Sequence, residues 1–397
     1  MKKVEQINMF SGKRLQMNES IEMTITSIRA YGSKYKHWCI AWSGGKDSTT
    51  LLTLVIYLIE SGKIEKPETL TVMYADTRME LTPLYFAAQM IIEDLKGIGI
   101  EVRIACAPME KRFLPYIIGR GVPPPNNMTF RWCTRQIKVD PMKDELLKLF
   151  KEKKEKVLML TGVRQGESAI RDQRIIMSCS RDGAECGQGW YQQTMPESIC
   201  DTLAPILHWR VCHVWEWLKH WAPLREYGDF STELIADAYG GEEAEEVNAR
   251  TGCMGCPLTD KDTALDNIVK RSSWAYLAPL KKLKPLYRKL RLPQYRLRKT
   301  GKDSSEKNKQ RLGPLTMEAR KMAFDEIISI QDAVNEYAPI IPGAQVYLLN
   351  DDEQEFIQQC WKDNIWPNRW DGTEPTGDIM MDKIFSDGTI QPLLIID

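Results

Sequence analysis

Short apolar runs alternate with longer helical stretches between residues 37 and 210, and this alternation restricts the fold more than any other feature. The predicted strands are nearly continuous apolar runs at 37–42, 69–75, 101–107 and 156–163. Helical stretches lie between them, at about 48–61, 82–97 and 140–153. Strands that alternate with helices of this length form βαβ units and a parallel sheet. Because continuous apolar strands are expected where helices cover both faces of a sheet, the pattern predicts an α/β fold with a doubly wound parallel sheet.

The first predicted strand ends in a glycine-rich loop that leads directly into a strongly apolar helix. The loop reads Ser43, Gly44, Gly45, Lys46, Asp47, Ser48. A helix N-terminus has backbone N–H groups without intrahelical partners and carries partial positive charge, so it binds phosphates well. The two glycines allow the backbone to approach an anion closely, and the carboxylate of Asp47 could help to hold Mg²⁺. A solvated surface turn is the alternative, but the strand–loop–helix context favours a phosphate site.

The spacing of this loop differs from that of a Walker A loop, which requires G-x-x-x-x-G-K-[ST]. The loop resembles instead the SGGxDS signature of the PP-loop ATP pyrophosphatases, and stretches up to about residue 260 resemble their phosphoadenosine-phosphosulfate (PAPS) reductase-like branch. The resemblance implies an adenine nucleotide alpha-hydrolase-like fold with ATP and Mg²⁺ as cofactors. It also implies that residues 43–48 grip pyrophosphate and that ATP is cleaved between its α and β phosphates. Lys46, Asp47 and Arg164 are then the expected catalytic residues.

Two further stretches carry the same resemblance. In YADTRMELTP, Asp76 matches a residue that lies near the nucleotide in this branch, so it is an expected nucleotide-binding residue. In RWCTRQIKVDPM, Cys133 and Lys138 match a Cys-Cys-x-x-x-Lys-x-x-Pro motif, although Thr134 stands in place of the second cysteine.

A cluster of arginines follows the fourth predicted strand, in the stretch LTGVRQGESAIRDQR. Gly162 and Arg164 begin an element that resembles Gly-x-Arg-x-x-Glu-Ser of the same branch, and Arg171 and Arg174 come soon after. Open α/β sheets bind ligands outside the carboxyl ends of their strands, and guanidinium groups suit polyanions. One arginine alone would be an ordinary surface residue, but the three together favour phosphate binding. Arg164 and Arg171 are the expected nucleotide ligands.

The ten cysteines are not expected to form a disulfide framework in a reducing compartment. Cys253-x-x-Cys256 has the spacing of thiolate ligands for Zn²⁺ or an Fe–S cluster, but the second pair that a zinc ribbon needs is not evident. Resemblance to the iron–sulfur members of the family implies that Cys133, Cys253 and Cys256 hold a [4Fe–4S] cluster. Cys186 is the expected fourth ligand, because Gly187 and Gly189 next to it allow a tight approach. Three alternatives to Cys186 stay open: Cys179, Cys200 and an open iron site. Buried or redox-active thiols are the alternative to any cluster.

The chain departs from true PAPS reductases in its thiols. Those enzymes use a cysteine in a C-terminal Glu-Cys-Gly-x-His element, but residues 361–397 contain no cysteine, and the Glu-Cys-Gly at 185–187 lacks the histidine. PAPS reduction is therefore disfavoured. An iron–sulfur member without that cysteine is similar to the sulfurtransferases of DNA phosphorothioation, the DndC and SspD type. That resemblance implies that ATP adenylylates a backbone phosphate oxygen and that sulfur from a partner cysteine desulfurase replaces it.

Two other functions stay open from the sequence. One is a PAPS-reductase-type oxidoreductase, which thiol-dependent release of sulfite from PAPS would establish. The other is a non-catalytic nucleotide-binding subunit of a larger modification or defence complex. Other modification-complex subunits are among the expected partners of the protein.

Residues 281–311 form a basic segment with thirteen Lys or Arg residues and two acidic ones, interleaved with Tyr287, Tyr295 and several leucines. Such a run is often only a solvated face. Lysine and arginine neutralise nucleic-acid phosphates independently of sequence, and aromatic rings stack on exposed bases. The segment therefore favours a nucleic-acid substrate without distinguishing DNA from RNA, and the resemblance points to DNA.

Length and composition set the remaining expectations. A chain of 397 residues has room for several domains. The predicted divisions are an N-terminal segment (1–34), a PP-loop and cysteine-cluster domain (35–270), a mainly helical basic extension (271–345) and a C-terminal tail region (346–397). The 54 basic and 54 acidic residues cancel, so net charge indicates no partner. Neither a signal peptide nor a membrane-length apolar run is evident, so we expect a cytoplasmic protein without a membrane partner.

Overall fold

The computed structural model describes residues 15–126, 130–166, 173, 199–241, 252–301, 310–339, 344–385 and 387–393. Its main sheet contains β1 (His37–Trp42), β2 (Thr69–Asp76), β3 (Glu101–Cys106), β4 (Val157–Thr161) and β5 (Cys200–Leu203). The strands lie in the order β3-β2-β1-β4-β5. The predicted α/β class with a parallel sheet is confirmed.

Strand pairing in the sheet is parallel, with His37 of β1 opposite Val157 of β4 and Val157 opposite Cys200 of β5. β4 is buried along its whole length, which explains why its sequence is a continuous apolar run. The sequence predicts four of these strands to within two residues at either end. It misses β5, because a four-residue strand that reads Cys-Asp-Thr-Leu carries too little apolar pattern to be distinguished from a loop.

Four helices accompany these strands along the chain: α1 (Met17–Gly32), α2 (Lys46–Glu60), α3 (Thr82–Gly97) and α4 (Asp140–Lys153). The second of them, α2, joins β1 to β2 and packs against β1 and β4. Apart from its two ends and Tyr57, every residue of α2 is buried, as its apolar composition predicts. The start of α2 is therefore held firmly against the sheet.

The rest of the described chain is mainly helical, as predicted for the extension. Its helices are α5 (Val211–Glu216), α6 (Thr263–Ile268), α7 (Leu283–Lys289), α8 (Met317–Asn335) and α9 (Asp351–Lys362). Two small antiparallel ladders pair β6 (Arg296–Arg298) with β7 (Leu312–Leu315), and β8 (Lys383–Ile384) with β9 (Ile390–Gln391). Among the described residues, every helix is too short or too polar to cross a membrane.

The chain divides into two compact units, each assembled from three separate segments. The first unit comprises Met1–Met73, Ile91–Arg103 and Leu147–Glu233. The second unit comprises Tyr74–Met90, Ile104–Leu146 and Leu234–Asp397. The domain boundaries at residues 34, 270 and 345 stay predictions.

Hydrogen bonds from the indole N–H groups of buried tryptophans to threonine hydroxyls stabilise the first unit. The three pairs are Trp42 with Thr49, Trp209 with Thr24, and Trp217 with Thr53, each at 2.9 Å. Buried indole N–H groups need such partners. Because two of the threonines lie on α2 and one on α1, these bonds fix both helices within the unit.

Arg320 of α8 stabilises the second unit. Its side chain is fully buried. Its guanidinium donates to the carbonyl oxygens of Gly119 at 3.2 Å and Ile365 at 2.9 Å, and it stacks 3.9 Å from the ring centre of Trp366. Gly121 has a φ of 76°, and a side chain there would collide with the same guanidinium. Burial lowers the pKa of Arg320 to about 10, so the side chain stays cationic at neutral pH.

The order of the strands changes direction between β1 and β4, since β2 lies beside β1 on one side and β4 lies on the other. Ligands of open α/β sheets bind outside the carboxyl ends of the strands at such a point. The loop 43–48 follows β1, and residues 162–164 follow β4. Two predicted phosphate-binding segments of the first unit, the loop 43–48 and residues 162–164, therefore both lie at the point of the sheet where ligands of open α/β folds bind.

Candidate functional site

The loop 43–48 begins where β1 ends and places its backbone at the N-terminus of α2. Gly45 is the N-cap of α2 in an extended conformation, and no side chain among the described residues caps the helix there. Gly44 has a φ of 71°, a left-handed conformation that favours glycine. The first-turn N–H groups of a helix have no intrahelical acceptors, so this end of the 15-residue helix suits an anionic ligand.

The two serines of the loop hold its shape. The backbone N–H of Ser43 donates to Ser48 Oγ at 3.2 Å, and Ser48 Oγ donates to the carbonyl oxygen of Gly45 at 3.1 Å. The two hydroxyl oxygens lie 3.1 Å apart. Ser48 is buried whereas Ser43 is exposed, so Ser48 is a brace within the loop and Ser43 faces outward.

Asp47 lies between two cations. Lys46 Nζ is 3.1 Å from Asp47 Oδ2, and Arg164 Nε is 2.5 Å from Asp47 Oδ1. Arg164 also donates through Nη1 to the carbonyl oxygen of Trp209 at 3.2 Å. The side chains of all three charged residues are less than one-fifth exposed. Lys46 and Arg164 thus place two cationic groups beside the uncapped helix end, which favours an anionic ligand.

Gly162 brings the end of β4 into contact with the start of α2. A Cβ at residue 162 would lie 2.7 Å from the carbonyl oxygen of Asp47 and 2.7 Å from the backbone of Ser48. Real Cβ atoms do not approach backbone so closely, so only glycine fits. The Gly-x-Arg element therefore has two structural roles: Gly162 allows the close approach, and Arg164 two residues later reaches Asp47.

A second set of predicted residues lies in the second unit, in the turn after β2. Asp76 Oδ1 accepts a hydrogen bond from the backbone N–H of Arg78 at 2.8 Å. The side chain of Glu80 accepts from Thr77 Oγ1 at 2.6 Å and from the backbone N–H of Met79 at 3.1 Å. Burial raises the pKa of Glu80, and the hydroxyl of Thr77 opposes that shift. The turn is thus built around two carboxylates.

The Cys253-x-x-Cys256 loop docks on this turn. The backbone N–H of Met254 donates to the carbonyl oxygen of Met79 at 2.8 Å, and the N–H of Cys256 donates to Cys253 at 3.0 Å. Gly255 between them has a φ of 61°, and a side chain there would lie 2.7 Å from Leu283 Cβ. The tight bend therefore requires glycine.

The thiols of Cys133, Cys253 and Cys256 are close enough to influence one another. Burial raises the pKa of Cys253 to about 11, an effect that Lys138 opposes and the other two thiols reinforce. Burial and then Cys256 raise the pKa of Cys133. The structure therefore brings the three predicted ligands, together with Lys138, into one electrostatic neighbourhood.

Soft thiol donors suit a thiophilic metal ion or an Fe–S cluster, and all eight cysteines in the described part of the chain are without disulfide partners. That part holds no group of three or more His, Cys, Asp or Glu side chains drawn together as metal ligands. The donor chemistry of Cys133, Cys253 and Cys256 thus fits a cluster, while a closed set of ligands is not assembled among the residues described.

Some predicted site residues lie outside the described residues, and their roles stay predictions: Arg171, Arg174, Cys179 and Cys186. Cys200, an alternative fourth ligand, lies in β5 of the first unit, whereas Cys133, Cys253 and Cys256 belong to the second. Burial raises the pKa of Cys200 to about 11, with the charge of Asp201 adding to the shift.

A residue that the sequence does not reveal supports the turn after β2. Glu353 of α9 has a side chain only 2% exposed, lies 3.1 Å from Arg112 Nη1 and lies 3.3 Å from Arg78 Nη2. Arg78 has a φ of 60°, so this ion pair holds the residue of the turn that has an unfavourable backbone conformation. The sequence separation of 275 residues leaves no local signal for the contact.

Comparisons with known proteins give a family match and a curated relative for this chain. Residues 37–223, slightly less than half of the chain, match the family model of the phosphoadenosine phosphosulfate reductase domain. An uncharacterized protein of Methanocaldococcus jannaschii is 24% identical over 259 residues, which are 64% of this chain and 50% of that protein. The chain spans about half the length of this curated relative.

Two solved structures show weak similarity. The FMN adenylyltransferase of Candida glabrata, solved with FMN and the ATP analogue AMPCPP, is 13% identical with a TM-score of 0.34, and the match covers 53% of this chain and 60% of that one. The U34-tRNA thiolase NcsA of Methanococcus maripaludis, with its [4Fe–4S] cluster, is 13% identical with a TM-score of 0.33, covering 58% and 76%. The match to the PAPS reductase domain model spans all five strands of the main sheet, β1 to β5.

Proposed function

We propose that this protein is an ATP pyrophosphatase that adenylylates a substrate for sulfur transfer. The observation that carries the proposal is the uncapped N-terminus of α2 beside Lys46, Asp47 and Arg164, at the point where the strand order reverses. Backbone donors, the partial positive charge of the helix end and two cationic side chains converge there. That combination suits the pyrophosphate part of ATP.

The proposed reaction begins with transfer of AMP to the substrate. An oxygen of the substrate attacks the α-phosphorus of ATP, the bond from that phosphorus to the α–β bridging oxygen breaks, and pyrophosphate leaves with that oxygen. The amides of residues 43–48 hold the departing pyrophosphate, and Lys46 and Arg164 offset the negative charge that develops on it. Asp47 has the carboxylate that a Mg²⁺ ion would share with the phosphates. Asp76 and Arg171 are the further proposed nucleotide ligands.

The proposed cluster site consists of Cys133, Cys253 and Cys256, with Cys186 as the proposed fourth ligand. Thiol chemistry and the shared electrostatic neighbourhood of the three described cysteines support this assignment. A bound [4Fe–4S] cluster would carry or orient sulfur. The chain's own part is to supply thiolates: Lys138 favours the charged form of Cys253, and the Met254–Met79 bond fixes the loop that carries it.

We propose the DNA backbone as the sulfur acceptor, with a cysteine desulfurase as the sulfur donor and other modification-complex subunits as partners. After adenylylation of a non-bridging phosphate oxygen, the outer sulfur of a desulfurase-derived persulfide attacks the DNA phosphorus, and AMP departs with that oxygen. A thiol reductant then attacks the inner sulfur of the persulfide group, so that the outer sulfur stays on phosphorus and the two thiols end as a disulfide. The basic segment 281–311 supports a nucleic-acid acceptor.

Replacement of Asp47 tests the central proposal. In the Asp47→Ala variant we expect pyrophosphate release from ATP, measured with DNA, Mg²⁺ and a desulfurase present, to fall to background. The exposed Glu60→Ala variant at the other end of α2 is the matched control and should release pyrophosphate normally. Circular dichroism should show both variants folded. Undiminished release in Asp47→Ala would exclude the proposed role of this loop.

The family match favours one second candidate, a PAPS-reductase-type oxidoreductase. It predicts release of sulfite from PAPS in the presence of a thiol reductant and no pyrophosphate release from ATP. A nucleotide-binding subunit without catalysis would instead bind ATP and show neither product. The same two assays therefore separate the three functions.

A further inference from the structure

The basic segment 281–311 contains two kinds of cation. Some already have hydrogen-bond or ion-pair partners within the second unit. Lys284 is buried and donates to the carbonyl and hydroxyl oxygens of Thr259, both at 2.8 Å. Lys299 forms an ion pair with Glu374 at 2.6 Å. These side chains have structural partners, so positive charge in the sequence overstates the charge that the segment offers to a ligand.

Three arginines of the segment differ from these. Arg296 Nε donates to the carbonyl oxygen of Gly313 at 2.9 Å, and Arg291 Nη1 donates to that of Pro125 at 3.4 Å. Arg298 Nε is buried without a hydrogen-bond partner. The guanidinium groups of Arg291 and Arg296 thus donate to neutral backbone carbonyls. Among the described residues, no carboxylate forms an ion pair with Arg291, Arg296 or Arg298.

The strand β6 places two of these side chains together. Its burial alternates, with Leu297 only 4% exposed between the partly exposed Arg296 and Arg298. Successive side chains of a strand point to opposite faces, so Arg296 and Arg298 share the face opposite Leu297. In the pairing of β6 with β7, Arg296 lies opposite Leu315 and Arg298 lies opposite Leu312, with an irregular register between the two pairs.

Electrostatics show that Arg291 belongs to the same group. Burial, and after it the charges of Arg291 and Arg298, together lower the pKa of Arg296 to about 10. Guanidinium groups of like charge repel one another, and no carboxylate among the residues that the structure describes pairs with these three to offset the repulsion. Such a cluster favours binding of an anion.

We propose that Arg291, Arg296 and Arg298, hereafter the arginine surface, bind the phosphodiester backbone of a nucleic acid. The proposal deepens the proposed function, because it assigns a surface to the acceptor. A polymer fits better than a small anion because the positive charge continues along the chain: Lys282 and Arg288 are exposed, and Lys289 lies 5.5 Å from the ring centre of Tyr295. Contacts to phosphates carry no sequence information, so we expect sequence-independent binding.

The test measures binding of fluorescein-labelled DNA of mixed sequence to the full chain by anisotropy, over a series of salt concentrations and without ATP. In the Arg291→Gln/Arg296→Gln/Arg298→Gln variant we expect roughly tenfold weaker binding. We also expect the slope of log affinity against log salt concentration to become shallower by about two, since about 0.7 to 0.9 counterions are released per phosphate contact.

A variant of equal charge change is the control. Lys34→Gln/Lys66→Gln/Lys96→Gln removes three exposed cations from the first unit and should keep the wild-type affinity and slope. Because Arg291 and Arg296 donate to backbone carbonyls, the single Arg298→Gln variant guards against misfolding: it should show a smaller loss of the same kind. An arginine-to-lysine triple variant, which keeps the charge, should retain most of the slope.

The outcomes separate this proposal from the nucleotide site. The Asp47→Ala variant should bind DNA like the wild type, whatever its effect on pyrophosphate release. Wild-type affinity and slope in the folded triple glutamine variant would overturn the proposal. So would binding of inorganic pyrophosphate at the arginine surface, with no competition by DNA.

Discussion

At residue 162 the geometry of the nucleotide loop depends on the absence of a side chain. We predict that Gly162→Ala destabilises the protein by about 1–3 kcal/mol, because the new methyl group must displace the backbone of Asp47 and Ser48. ATP binding should weaken strongly for the same reason. Urea unfolding and calorimetric titration with ATP measure the two effects.

The control for this change is Gly97→Ala in the first unit, where a methyl group meets no atom within 4 Å. Gly97 ends a helix and lacks a left-handed φ, so alanine should leave stability within about 0.5 kcal/mol of the wild type. Equal behaviour of the two variants would show that close packing at residue 162 does not shape the loop.

The proposed cluster site predicts the iron and sulfide content of the protein. Protein purified without oxygen should contain iron and acid-labile sulfide and absorb visible light, and Cys253→Ser should lose roughly half or more of both elements. Cys212→Ser, at an exposed cysteine, should keep the wild-type content. Colourless protein with stoichiometric zinc would be incompatible with an Fe–S cluster.

Single residues also show where sequence reasoning succeeds and fails. The hexapeptide 43–48 is recognisable because its chemistry is local: glycines, hydroxyls and charge lie within one turn. The pairing of Arg164 with Asp47 could be anticipated only as a shared strand-end position, and the contact of Glu353 with Arg78 could not be anticipated at all. Contacts between residues far apart in sequence depend on tertiary packing, which leaves no periodic pattern in the chain.

Among the elements, α1 is attached to the first unit through histidines that are poorly solvated. Ser20 Oγ on α1 lies 3.2 Å from His213 Nδ1, and His208 Nε2 donates to the carbonyl oxygen of Ser20 at 3.0 Å. Burial lowers the pKa of both histidines. The docking of α1 is therefore built on neutral imidazoles.

The sign of the resulting pH dependence follows from these lowered pKa values. Below the pKa of unfolded histidine, about 6.5, the unfolded chain binds protons that the folded chain does not. Stability is therefore fully present above that pH and is lost as pH falls toward the folded pKa values. We predict that the free energy of unfolding decreases with falling pH in this range, by at most about 1.4 kcal/mol per pH unit for each histidine.

Urea unfolding at a series of pH values measures this dependence. His208→Gln should flatten the curve even if it lowers stability overall, because the slope reports protons and not packing. His220→Gln, at an exposed histidine, controls for removal of a histidine and should follow the wild-type curve. An unchanged slope in His208→Gln would show that His208 does not contribute.

Elements with a strong periodic pattern are the ones that the sequence predicts. β1 to β4, α2, α3 and α4 carry continuous or periodic apolar residues, and the structure confirms them. The pattern at α1 alternates Ser and Thr with Ile and Met, and those small polar residues obscure a helix whose buried face includes Ser20 and Thr24. Buried hydroxyls that bond to histidine, tryptophan or carbonyl partners are invisible to an apolar pattern.

At the scale of the whole molecule, each unit is built from segments that alternate along the chain. A fragment of residues 1–233 would contain the first unit. It would also contain two segments of the second unit, 74–90 and 104–146, without the rest of that unit. These segments include Ile117 and Ile118, which are fully buried. The carbonyl oxygen of Ile118 also accepts a hydrogen bond from Trp361, which the fragment lacks.

We predict that the 1–233 fragment exposes apolar surface and fails to unfold cooperatively. Binding of a hydrophobic dye and a thermal melt followed by circular dichroism measure the two properties against the full chain. A sharp melt with little dye binding would show that segments 74–90 and 104–146 can fold without the remainder of the second unit.

Alternation of segments is a property that a linear reading of the chain does not reveal. Divisions drawn from composition follow the sequence in order, whereas residues 74–90 and 104–146 join residues 234–397 in space. Charge has the same property at this scale. The net charge of zero hides the arginine surface, since carboxylates elsewhere in the chain cancel it in the sum but not locally.

Arg320 has a consequence for the end of the described chain. One guanidinium holds the carbonyls of Gly119 and Ile365, so the chain near Ile365 is tied to a segment almost 250 positions earlier. Protease cleavage at an exposed position after Trp366 would cut the peptide bond but leave this tie in place. The residues through Trp366 would stay attached to the core, and only the piece beyond the cut could dissociate.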